Sequence, residues 1–231
     1  MSKRQLICLP YAGGSASIYN DLKAHVQDDI ELKTIELPGK GSRFTESPLT
    51  SIEDMVNEVV AQIKDLNVGD YDILGYSLGT ILAYETYFKL KEAGMTLPKR
   101  LFLAASEPIG YRGEPEGVKD MDQDAFKTFI KDKGGTPEAV LENDELWQLV
   151  SPSLRADFEA IDAYSDKPHD DEIDLDAVIM SGEDDIDFET LSKWEAYFSG
   201  KVTIEYFDGG HFFLHNEPKA IAEVIHQHAL S

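Results

Sequence analysis

The sequence is short of positive charge. Its 231 residues carry 21 Lys and Arg against 44 Asp and Glu, a formal net charge of −23. Nucleic acid is held largely by Lys and Arg on its phosphates, so this balance argues against nucleic acid and against an anionic membrane surface. Cysteine is scarcer still. Cys8 stands alone in the apolar run Leu6-Ile7-Cys8-Leu9, so no intrachain disulfide can form, and no Cys/His group has zinc-site spacing. A lone thiol in such a run reads as a small core residue. Long apolar runs are missing too. No stretch approaches the roughly 18 residues of a membrane-spanning helix. The few apolar residues behind Met1-Ser2-Lys3-Arg4 fall short of a signal-peptide core. The expectation is a cytoplasmic protein that binds neither membrane nor nucleic acid.

Core formers are plentiful: 42% of the residues are hydrophobic. The length suits a single domain over residues 1–231. Strand and helix signals alternate through the first half. Strands are expected at Gln5–Pro10, Ile30–Glu36, Tyr71–Leu74 and Arg100–Ala105. Between them, helices are expected at Ile18–Gln27 behind a Ser17 cap, at about residues 51–66, and after Ser77 as far as Gly94. That rhythm predicts an α/β fold with a parallel sheet and helices on both faces. It breaks at Ser106. From there to His169 the pattern holds helical pieces (about 122–131, 137–143 and 145–164, the last interrupted by Pro152) and no convincing strand. Such an insertion is read as a lid over a site at the strand carboxyl ends, against a helical subdomain without a gating role. The loop at 166–176 carries Asp166, Asp170, Asp171, Glu172, Asp174 and Asp176 without regular metal-ligand spacing. Strands at Ala177–Ser181 and Val202–Phe207 and helices at Phe188–Phe198 and Pro218–His228 complete the pattern.

The chemistry centres on Gly75-Tyr76-Ser77-Leu78-Gly79, a G-x-S-x-G pentapeptide between a strand and a helix. A serine exposed on a strained turn leaves little room two residues before and after it, which glycine at both places supplies. A serine hydroxyl needs a base, and the base needs an orienting acid. Of six histidines, only His211 follows a strand through a tight glycine turn, Asp208-Gly209-Gly210, with His215 as the fallback. His226 and His228, in the terminal helix, read as surface residues. The acid is expected behind the preceding strand, at Asp185, with Asp184 as rival and Asp187 trailing. The order Ser77, Asp185, His211 is that of the α/β-hydrolase fold. Backbone N–H groups of Leu78 and of Ala12, ahead of Gly13-Gly14, are the expected oxyanion donors.

The chain resembles the stand-alone type II thioesterases of nonribosomal peptide and polyketide synthesis. The resemblance rests on Leu9-Pro10-Tyr11-Ala12-Gly13-Gly14-Ser15, on Glu36-Leu37-Pro38-Gly39-Lys40-Gly41-Ser42-Arg43 and on the serine pentapeptide. Leu154-Arg155-Ala156-Asp157-Phe158, Gly182-Glu183-Asp184-Asp185 and Phe207-Asp208-Gly209-Gly210-His211-Phe212-Phe213 extend it over nearly the whole chain. It implies a Ser77–His211–Asp185 triad, oxyanion donors at Ala12 and Leu78, and a lid over 106–169. It also implies hydrolysis of acyl groups from the phosphopantetheine arm of an acyl- or peptidyl-carrier protein, for editing or for release. Leu78 and Lys40 stand where the family often has other residues. No metal or organic cofactor is needed, and a monomer is expected. Lys40, Arg43 and Arg112 are the cations considered for carrier docking, with apolar lid contacts. The alternatives are a small-molecule carboxylesterase, an acyltransferase, or a non-catalytic assembly-line partner.

Overall fold

A computed structural model describes residues 3–229; the remaining four terminal residues of the expected domain lie outside the described residues. Among the described residues, six strands form one sheet in the order β2-β1-β3-β4-β5-β6, and every neighbouring pair is parallel. In chain order the elements are β1 (Arg4–Leu9), α1 (Asn20–His25), β2 (Ile30–Thr34), α2 (Ile52–Leu66), β3 (Tyr71–Tyr76), α3 (Leu78–Glu92) and β4 (Arg100–Ala104). Then come α4 (Gln123–Lys133), α5 (Glu138–Glu142), α6 (Asp144–Ala163), β5 (Asp176–Gly182), α7 (Phe188–Ser192), β6 (Val202–Phe207), α8 (Phe213–Asn216) and α9 (Pro218–Ala229).

Side-chain alternation along the strands builds two cores. Ile7, Leu9 and Ile73 pack with Met55, Val59 and Ile63 of α2 and Ile81 of α3 on one face. Leu6, Cys8 and Leu74 pack with Leu22 of α1 and Ile221 and Ile225 of α9 on the other. Cys8 is fully buried, as a small core residue, and burial pushes its thiol well above the ordinary range.

The strand order places the site. The chain steps from β1 outward to β2, then returns to the other side of β1 for β3. Loops at the carboxyl ends of β1 and β3 therefore leave in different directions and open a crevice between them. Register sets Leu9 beside Gly75, so the Tyr11–Gly14 turn and the serine turn begin side by side.

Several local expectations change. The first helix starts as a 3-10 turn at Ala16–Tyr19, and Ser15 rather than Ser17 caps it, its Oγ accepting from the Ser17 N–H. The 188–198 helix is split into α7 and a 3-10 turn at Lys193–Tyr197. Pro152 does not interrupt α6, which runs through it. Proline removes one helical N–H and crowds the preceding turn. Here Trp147, Ser151, Leu154, Asp157 and Ala160 are buried on both sides of it, so packing holds the helix together. The insertion has its own apolar cluster of Val118, Phe126, Ile130, Leu141, Trp147 and Leu154.

Candidate active site

Ser77 sits between β3 and α3 at φ 55° and ψ −112°, outside the ordinary regions for a non-glycine residue. Such a conformation costs of order 1–3 kcal/mol and persists only where neighbours enforce it. They do so here through backbone bonds: Ser77 N–H to the Ala104 carbonyl at 2.8 Å and Thr80 N–H to the Ser77 carbonyl at 2.8 Å. The Thr80 hydroxyl lies 3.0 Å from the Gly75 carbonyl and 2.9 Å from that of Ala104, tying the turn to β4. The flanking glycines are required by close approach. A Cβ on Gly75 would lie 2.2 Å from the Gly79 carbonyl oxygen, and one on Gly79 would lie 2.1 Å from that of Leu9.

The Ser77 Oγ is 3.1 Å from His211 Nε2, and His211 Nδ1 is 3.0 Å from Asp185 Oδ2. An ionised carboxylate only accepts, so Nδ1 carries the proton and Nε2 of the neutral ring faces the serine as an acceptor. Asp184, the neighbouring carboxylate, is exposed, while Asp185 is half-buried and makes the bond to His211. Two loops must meet for this. Glu183 N–H donates to the Phe207 carbonyl at 2.9 Å and Asp184 N–H to the Gly209 carbonyl at 3.0 Å. Gly182 allows the approach, since a Cβ there would sit 2.3 Å from the Gly209 oxygen.

Among the described residues, no other histidine bonds to Ser77. His215 Nε2 pairs with the Tyr11 hydroxyl at 2.9 Å. His169 pairs with Glu85 at 3.0 Å and stacks on Phe88. His226 and His228 are half-buried rather than surface residues, facing Asp29 and Glu205 at 3.7 Å each, because α9 lies against the sheet. His25 is exposed on α1.

Ser77 opens into a cavity of about 1020 Å³ lined by Tyr11, Ala12, Leu78 and His211 at its floor and by Ile130, Val140, Val150, Leu154, Phe158 and Ile161 from the insertion. Among the described residues, neither the Ala12 nor the Leu78 N–H has a hydrogen-bond acceptor. Two donors without partners beside a serine–histidine pair can stabilise charge on a carbonyl oxygen attacked by that serine.

The cations considered for docking are already occupied. Lys40 is 7% exposed and bonded to Asp157 at 2.5 Å and to Ser153 at 2.9 Å. Arg43 binds Glu46 and Glu58, and Arg112 binds Asp166 at 2.9 Å. In the acidic loop, Lys91 pairs with Asp171 and Arg100 with Asp176. No group of three or more His, Cys, Asp or Glu among the described residues is placed to hold a metal, and no helix among them is long and apolar enough to cross a membrane. Sequence reading missed the Tyr76 hydroxyl, which bonds the His211 carbonyl, and the Lys40–Asp157 pair. Both depend on partners more than 100 residues away, which no local spacing announces.

A family model described as a thioesterase domain matches residues 4–229. Gramicidin S biosynthesis protein GrsT of Aneurinibacillus migulanus is 27% identical over 224 residues, covering 96% of this chain and 87% of that protein. The crystal structure of ClbQ from the colibactin NRPS/PKS pathway superposes with a TM-score of 0.91 at 28% identity, covering 98% of this chain and 96% of that one. The type II thioesterase BorB from the borrelidin biosynthetic cluster gives a TM-score of 0.87 at 27% identity, covering 98% and 93%.

Proposed function

Because the chain belongs to the thioesterase family, we propose that it hydrolyses acyl groups from the phosphopantetheine arm of acyl- or peptidyl-carrier proteins, clearing stalled or mis-primed assembly lines or releasing a product. One observation carries the reading: the Ser77–His211–Asp185 hydrogen-bonded series opening onto an apolar-walled cavity. Its setting on this reading is the cytoplasm, and its working form a monomer.

In the proposed mechanism, Ser77 is the nucleophile, His211 the base and Asp185 the orienting acid. His211 Nε2 takes the Ser77 proton as Oγ attacks the thioester carbonyl. Asp185 holds the Nδ1–H and stabilises the imidazolium without taking its proton. The Ala12 and Leu78 N–H groups receive the oxyanion. His211 returns the proton to the departing pantetheine thiol, then activates water against the acyl-serine. The insertion at 106–169 acts as the lid, since Ile130, Val150 and Phe158 supply walls that would shield an acyl chain from water. Carrier contact falls to apolar residues of that insertion, where Leu146 and Leu149 are 40% and 50% exposed.

The test is turnover of an acyl-loaded carrier protein against a p-nitrophenyl ester of the same chain. The reading expects the carrier thioester to be the better substrate by kcat/KM, with free acid as product. Preference for the small ester would support a carboxylesterase. Transfer to an added amine or alcohol in place of water would support an acyltransferase.

A further inference from the structure

The loop that carries Ala12 is not held by its own strand alone. Gly14 N–H donates to the Tyr11 carbonyl at 2.9 Å, closing a four-residue turn. Within it, Gly13 has φ +77° and Ala12 has a negative φ, the pattern of a type II turn. Turns of types I and II differ by a flip of the central peptide, here the one joining Ala12 to Gly13. Glycine at the third position favours the type II form, and the N–H that Gly13 then presents is held from the insertion. Asp157, on α6, accepts the Gly13 N–H at 2.6 Å through Oδ2. One turn earlier on the same helix, Leu154 lies so near that a Cβ on Gly13 would be 2.2 Å from its Cδ2.

Asp157 is itself 1% exposed. A buried carboxylate stays ionised only with a partner. Lys40, from the loop after β2, supplies it, with Nζ 2.5 Å from the same Oδ2. Oδ1 has no hydrogen-bond partner among the described residues, so the carboxylate's bonding is concentrated on the oxygen shared by Gly13 and Lys40. Three segments far apart in sequence therefore meet at one atom. The bond to Gly13 is charge-assisted, roughly twice as strong as a neutral one. It engages the Gly13 N–H, and the Ala12 N–H is the one left without an acceptor at the cavity.

We propose that Asp157 is a positioning residue for catalysis: by holding the Gly13 N–H it pins the Tyr11–Gly14 turn against α6 and so keeps the Ala12 N–H, which belongs to the preceding peptide, in place for the oxyanion, while Lys40 supplies the opposite charge beside the carboxylate. This rests on the thioesterase reading of the Ser77 site. A corollary is that the covering helix assembles the oxyanion hole as well as walling the cavity. With α6 in place the loop is set; displacing α6 releases it.

The test removes the charges together, so that no ion is stranded in the interior. K40M/D157N keeps an oxygen acceptor for Gly13; K40M/D157L has none, with the same branched heavy-atom shape but more bulk; and K40M/D157A, with no bulk to accommodate, is made in parallel. Steady-state kcat and KM are measured on a short-chain p-nitrophenyl ester, with thermal melts as the folding control. Expected is a loss of about 10- to 100-fold in kcat for the Leu and Ala doubles, with KM within about twofold, since the contact acts on the transition state. The Asn double should stay within about threefold of wild type. Wild-type kcat in a folded Leu or Ala double overturns the proposal, as does an equal loss in the Asn double. The ester readout is independent of any carrier. A wild-type enzyme that cleaves the ester but no carrier thioester would defeat the carrier reading and leave this test intact.

Discussion

The hydroxyl of Tyr76, one residue before the serine, donates a hydrogen bond of 2.5 Å to the backbone carbonyl of His211. The Tyr76 hydroxyl oxygen in turn accepts the Leu214 N–H at 3.3 Å. The strand end that presents Ser77 thus also anchors the chain at His211 and just after it. Tyr76 is buried, and burial pushes its phenol well above the ordinary range, so it remains a donor across the working pH range.

Tyr76→Phe removes that anchor while keeping the ring packed on Phe213. We expect kcat to fall about 3- to 10-fold with KM little changed, together with a stability loss of about 1 kcal/mol from the orphaned His211 carbonyl. Steady-state kinetics and urea denaturation measure the two effects separately.

Ser77→Ala should abolish hydrolysis, by about 10⁴-fold or more, and leave the melting temperature near that of wild type. Mass spectrometry should find acyl-enzyme on wild-type protein quenched during turnover and none on the variant. Undiminished turnover by the variant would remove Ser77 from the chemistry.

The two adjacent aspartates should separate cleanly. Asp185→Asn should lower kcat by about 10³- to 10⁴-fold, because an amide oriented to donate forces the wrong histidine tautomer. Asp184→Asn, on the exposed side of the loop, should stay within about twofold. A reversal of these results would move the acid to Asp184.

Gly75→Ala should cost more than about 2 kcal/mol, since its Cβ would meet backbone at 2.2 Å with no flexible side chain to yield. Chemical denaturation of the variant reads this directly. A variant as stable as wild type would mean that the turn is looser than its geometry.

Arg4→Met carries a pH signature. Asp72, on the interior strand β3, is fully buried, with Arg4 Nη2 2.6 Å away. Burial pushes the Asp72 carboxyl above its ordinary range, and the Arg4 guanidinium offsets only part of that. Without Arg4 the carboxylate keeps only the backbone N–H and the charge of Arg100, and the loss costs about 3 kcal/mol at neutral pH. A raised folded-state pKa means that the folded chain binds this proton more tightly than the unfolded chain does. The deficit is therefore full above the folded pKa and shrinks as pH falls through it. Denaturation of wild type and variant at about pH 7.5 and about pH 5 should show the gap narrowing in acid.

Much of this protein is legible locally. Alternating apolar strands and amphipathic helices are written residue by residue, so the parallel α/β order can be read up to Ser106. Glycines at 75 and 79 announce a turn that only they can close. The order of Ser77, Asp185 and His211 is likewise a property of the chain itself. Other features depend on where distant segments land. Asp184 and Asp185 are chemically alike, and only the packing of Gly182 against the Gly209–Gly210 turn decides which carboxylate reaches His211. Lys40 reads as a loop cation by composition, yet tertiary packing buries it on Asp157 across 117 positions of sequence. Propensity marks Pro152 as a break, and contacts on both sides of it carry α6 through. Periodicity and turn chemistry act over a few residues, so the sequence alone determined the elements, their order and the reactive residue types. The pairing of one carboxylate with one histidine, and of one lysine with one helix, is a matter of distance in three dimensions, which only the folded chain decides.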